Sequence, residues 1–148
     1  GTQVANAGAN VLDDYEEGEW SWAATGGTSG SWAQRTGYTK GAYTKVGRVV
    51  HIQGRFETVA SGSDGSGALR ISLPFTAANL TDVAGASAIH VLFWAHGSTI
   101  VNSVTGYIAD GLAYMEMYFP DDSGSLTTMT DSNVDTTFEC LINGSYCV

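Results

Sequence analysis

Between residues 48 and 59 apolar and polar side chains alternate: Val50, Ile52 and Phe56 fall on one face, His51, Gln53, Arg55 and Glu57 on the other. A period of two marks a half-buried strand, and 48–59 is predicted as one. The stretch 111–119 behaves the same way. There Ala113, Met115, Met117 and Phe119 alternate with Tyr114, Glu116 and Tyr118, which sends two tyrosines and a carboxylate to the outward face. Further strands are predicted at 19–24, 31–35, 38–46, 68–73, 87–96, 99–109 and 134–142, separated by turn chemistry at 25–30, 61–67, 84–85 and 121–124. The stretch 87–96 is apolar on both faces, the pattern of a central or interface strand. Roughly eight to ten short strands with no intervening amphipathic helix predict an all-β fold, an antiparallel β-sandwich of jelly-roll type.

The pair Asn143-Gly144 is the preferred centre of a type I′ hairpin. Counting outward from that turn sets Cys140 opposite Cys147, within disulfide reach. The alternative is two reduced, packed thiols.

Composition narrows the functional classes. The 148 residues carry 15 acids against 6 bases, a formal charge of −9. Such a chain repels a phosphate backbone, so nucleic acid is not an expected partner. No apolar run is long enough to suggest membrane insertion. The opening residues 1–12 are small and polar, and read as a linker from an upstream shaft or domain, with 13–148 forming the folded unit.

Candidate chemistry is sparse. The sequence has no nucleophile elbow, zinc-protease helix, phosphate loop or dinucleotide fingerprint, so no catalytic residue and no cofactor are expected. His90 and His96 lie roughly 20 Å apart along one strand and cannot share an ion within a subunit. Ordinary polar histidines are the reading, a metal on an oligomer axis the alternative. Asp13, Asp14, Glu16, Glu17 and Glu19 can be imagined around a hard cation, but a solvated or base-paired acidic segment fits better. All six bases lie between Arg35 and Arg70, where the only acids are Glu57 and Asp64, so pairing between the two regions is expected. Aromatics are the stronger lead. Trp20, Trp22 and Trp32 sit among Gly, Ser and Thr, and flat apolar faces beside short hydrogen-bonding groups are what a sugar needs. Trp22, Trp32, Tyr114, Glu116 and Tyr118 are therefore the candidate ligand-binding residues, with packing in the core or against a neighbouring subunit as the competing role.

Three segments, Leu12-Asp-Asp-Tyr-Glu-Glu-Gly-Glu-Trp20, Tyr38-Thr-Lys-Gly-Ala-Tyr-Thr-Lys-Val-Gly47 and Leu69-Arg-Ile-Ser-Leu-Pro-Phe75, closely resemble a module at or near the C-termini of bacteriophage tail fibres and tailspikes. Order and spacing are preserved over the first half of the chain. The resemblance implies a trimeric all-β tip of the virion that attaches to a host-surface receptor, often a glycan, or closes a trimer behind another domain. The double-sided strand at 87–96 and the large aromatic inventory also fit a homotrimer. A structural trimerisation cap is the first alternative, and a carbohydrate-binding module of a secreted enzyme the second.

Overall fold

A computed structural model describes residues 14–59, 65–95, 103–134 and 137–148. The expected linker, Asp13, His96 and the start of the strand expected at 99–109 lie outside them. Among the described residues there are eleven strands: β1 (Tyr15–Ser21), β2 (Ala24–Gly26), β3 (Ser31–Gln34), β4 (Lys40–Val46), β5 (Val49–Val59), β6 (Leu69–Ser72), β7 (Ser87–Ala95), β8 (Val104–Ile108), β9 (Tyr114–Pro120), β10 (Leu126–Thr128) and β11 (Phe138–Cys147). A single 3-10 turn, Thr81–Val83, precedes β7.

All strand pairings are antiparallel, as the sequence predicts, but they do not form two packed sheets. The order β5-β11-β7-β8-β9-β6-β2-β3 returns to β5, so eight strands close into a barrel, with β1 and β4 extending from β5 and β10 from β9. This corrects the expected sandwich and jelly roll. The cause lies in β5, which is 11 residues long and has more length than one neighbour covers. Val49 to Gln53 pair with β4, whereas Thr58 and Val59 pair with β3. β11 runs along the opposite side from Val49 to Glu57. Gly54 stands where β5 exchanges partners, and a side chain there would press on the Phe56 ring at 2.6 Å.

The barrel interior takes the alternate residues the periodicity selects. Val50, Ile52 and Phe56 of β5, Ile71 of β6, Ile89 of β7, Ile108 of β8, Met115 and Met117 of β9 and Phe138 of β11 are all buried. Each such side chain contributes about 1.5–3 kcal/mol relative to exposure. β7 lies between β11 and β8, the central position its sequence suggests, but only one face is buried: Ile89 and Val91 point inward while Ala88, His90 and Leu92, the last 56% exposed, lie on the outer face.

The hairpin expected at Asn143-Gly144 does not form. Both residues lie mid-strand in β11, with Asn143 opposite Gln53 on β5 and His90 on β7. A type I′ turn requires positive φ at both central residues, and neither has it. Gly144 serves packing instead, because a Cβ there would meet the Ile89 side chain at 2.7 Å. The positive φ falls at Gly47, in the turn joining β4 to β5. Cys140 and Cys147 consequently sit seven positions apart on one strand and are free thiols. Burial pushes the Cys140 thiol up from its ordinary value, which keeps it unreactive.

Tyr146 ties the chain end to the segment after β6. Its hydroxyl donates to the Phe75 carbonyl at 2.9 Å and accepts from the Phe75 amide at 3.2 Å. Burial raises its pKa from 10.0 to about 12. With the folded value above the unfolded one, this contribution to stability is complete below pH 10 and is lost as pH climbs towards about 12. Tyr146→Phe should therefore show a shallower alkaline fall in urea midpoint than the parent, while starting from a lower midpoint at neutral pH. An unchanged alkaline slope would remove Tyr146 from this role.

Candidate functional site

The outer face of the barrel carries the side chains that strand alternation leaves unburied. On β9, Met115 and Met117 point inward while Tyr114, Glu116 and Tyr118 are half-buried outside, the division the sequence predicts. β6 places Arg70 directly opposite Glu116, and β8 places Tyr107 opposite it on the other side. Arg70 Nε donates to Glu116 Oε1 at 2.8 Å, and the Tyr118 hydroxyl donates to Oε2 at 3.2 Å. The guanidinium carbon of Arg70 stands 4.4 Å from the centre of the Tyr114 ring, a cation–π contact. Tyr107 meets Tyr118 edge-to-face at 5.8 Å.

Glu116 is therefore not a free acceptor; both its oxygens are engaged in fixing Arg70 and Tyr118. What remains available is the ring surface. Tyr107, Tyr118, Ala88, Thr105 and Leu126 line a largely apolar hollow of about 320 Å³. Tyr107 and Leu126 are additions to the predicted set. Tyr107 was legible in the alternation of Val104, Gly106 and Ile108 with Thr105 and Tyr107, whereas Leu126 lies on the three-residue β10, too short for a periodic signal.

Trp22 and Trp32 belong to the core, which corrects their assignment as ligand contacts. Trp22 is 2% exposed and stacks on Phe56 at 4.5 Å between ring centres, with planes 21° apart. Trp20 meets the same ring edge-on at 5.8 Å, so the two tryptophans are buried together as their spacing requires. Trp32 is 3% exposed and sits edge-on to Phe138. Each of these three indoles offers a large apolar area, and the core takes it, whereas the fourth, Trp94 on β7, is half-buried. Gly41 makes room, since a Cβ at that position would run into the Trp20 ring.

The acidic N-terminal strand lies against the basic segment, as expected. β1 pairs along β4, and Lys45 Nζ reaches Asp14 Oδ2 at 2.9 Å, while Tyr43 donates to Glu16 at 2.5 Å. Three of the four arginines pair elsewhere, Arg35 with Glu57, Arg55 with Glu139 and Arg70 with Glu116, and Arg48 donates to the Val148 carbonyl. Glu57 and Glu139 are directly opposed across β5 and β11 and both are buried, so the two arginines, each about half exposed, screen an otherwise repulsive pair.

His51 contacts Ser145 and His90 is exposed on β7. Among the described residues no three His, Cys, Asp or Glu side chains come together in a way that could hold a metal, and no helix is long and apolar enough to cross a membrane. A second, larger depression of about 560 Å³ spans β4, β5, β11 and β7, with Glu19, Lys40, Gln53, His90, Leu92, Leu141 and Asn143 around a floor of Gly41, Ala42 and Gly54. No protein-family model matches the chain, and no curated protein does.

Proposed function

We propose that this chain is the non-catalytic tip of a bacteriophage tail fibre or tailspike, a homotrimer in the virion that attaches to a glycan on the host surface. The observation that carries the reading is the tyrosine platform on the outer face: Tyr107, Tyr114 and Tyr118, held in place by Arg70 and Glu116, offer rings to solvent in a protein that buries Trp20, Trp22 and Trp32 in its core. Ring faces beside hydroxyls and charged groups suit the mixed C–H and O–H surface of a sugar. The motif order over the first half of the chain supports the phage setting.

Leu92, Leu126 and Leu141, exposed on the same outer face, favour a second reading, a trimerisation cap with activity elsewhere in the parent protein. A carbohydrate-binding module of a secreted enzyme is distinguished by being monomeric. The test substitutes Tyr114 and Tyr118 by Ala and measures host-surface binding together with mass in solution. The expected result is a loss of binding of about ten- to a hundred-fold with the trimer intact. Loss of the trimer supports the cap, and a stable monomer of 15.5 kDa for the unsubstituted chain overturns the fibre reading.

A further inference from the structure

The larger depression has a chemistry of its own. Strand register sets Glu19, Ala42, Gln53, Asn143 and His90 in one row across β1, β4, β5, β11 and β7, each opposite the next. Side chains directly opposed in such a row stand about 5 Å apart, so Gln53 to His90 spans about 10 Å, the width of one pyranose ring with its substituents. Two positions along the strands lies a second row, Leu141 opposite Leu92, about 7 Å away at the usual rise.

The polar row is uncommitted. Among the described residues, the side chains of Gln53, Asn143 and His90 make no hydrogen bond, while the Lys40 Nζ donates to the Ser21 hydroxyl at 2.6 Å. Each of the two opposed side-chain amides carries a donor and an acceptor. Together they can take both the N–H and the C=O of a ligand amide. Leu92 and Leu141, 56% and 39% exposed, supply apolar contact on the other side.

The floor holds its shape because of what lies beneath it. Gly41 and Gly54 turn towards the interior, where Trp20 and Phe56 fill the space their missing side chains leave. Outside, only backbone and the Ala42 methyl remain, so a ligand approaches the sheet closely.

We infer that this depression is a second saccharide site, for a neutral N-acetylated hexosamine. The acetamido group matches the opposed amides, and its methyl meets the leucines. A plain hexose satisfies the polar row and leaves the leucine row wet; an acidic sugar meets a chain of charge −9. The same register continues from His90 through Thr105 to Tyr118, so an oligosaccharide bound here reaches the tyrosine platform. The inference rests on the saccharide-binding reading of the outer face.

N-acetylglucosamine and N-acetylgalactosamine, with glucose and galactose as controls, are titrated into the full chain and followed by NMR at the backbone and side-chain amides. The expected result is binding of the acetylated sugars at least about ten-fold tighter than their parents, with the Gln53 and Asn143 side-chain amides shifting. Gln53→Ala and Asn143→Ala should each weaken that binding about ten-fold with an unchanged melting temperature. Equal response to glucose, or shifts at Tyr107 and Tyr118 without any at Gln53, overturns the inference. So does a loss of trimer mass in Leu141→Ser, which makes the depression an interface. Host binding that survives in Gln53→Ala but fails in the Tyr114/Tyr118 variant sinks this inference alone; host binding that survives both sinks the wider reading too.

Discussion

Trp22→Ala is expected to lower the unfolding free energy by about 3–5 kcal/mol, the usual cost of emptying a buried aromatic site. The indole is stacked on Phe56, and its Nε1 donates to the Tyr38 carbonyl, so the substitution removes packing and a cross-loop hydrogen bond together. The cavity cannot collapse easily, because Trp20 is held edge-on against the same ring and fixed by its own hydrogen bond to the Ser72 carbonyl at 3.1 Å. Urea unfolding gives the number. On the proposed reading, host-surface binding by the fraction that remains folded should be unchanged, since Trp22 is only 2% exposed. Preserved stability with lost binding would return Trp22 to the role its sequence neighbours first suggested.

Gly41→Val is expected to be the most damaging single addition to β4, at or above about 3 kcal/mol, the upper end of ordinary overpacking. The new side chain points inward and occupies the volume of the Trp20 ring. That ring has no free direction, being pinned at Ser72 and against Phe56. β4 must then lift away from β5, deforming the floor of the depression. Thermal unfolding measures the first effect. Ala42→Ser is the control, adding only a hydroxyl on the outer side of the same strand. A tolerated Gly41→Val would mean that Trp20 has an alternative seat.

The alternation of residues made most strands and much of the core legible. Val50, Ile52 and Phe56, or Met115 and Met117, announce an inward face whatever lies across from them. The exchange of neighbours along β5 was not legible. Pairing order is set by side chains meeting across the interior, and a period of two is the same in a sandwich and in a barrel. Asn143-Gly144 misled because the pair is read through its turn propensity, whereas the same glycine also answers a demand for close packing against Ile89. The candidate site divided along similar lines. Tyr114 and Tyr118 were visible because methionines alternate with them, but Trp22 and Trp32 were not separable from ligand contacts, since large apolar rings suit either place. The depression over Gly41 and Gly54 left no local trace, because its row joins residues brought together only by register.

Closure of the barrel depends on a short seam. β3 and β5 are joined through Ala33 opposite Val59 and Gln34 opposite Thr58, whereas β5 and β11 share nine paired positions. Parting that seam, or the equally short join of β2 to β3 through Ala24 opposite Trp32 and Thr25 opposite Ser31, costs fewer backbone bonds than opening the ring between β5 and β11, so the ring is weakest on the two sides of β3 when the native state breathes. A cylinder that unzips along one line becomes a curled ribbon with two bare edges. Edges of that kind recruit strands from other chains. The brevity of the joins on either side of β3 thus sets how readily the closed ring gives way to pairing between separate chains.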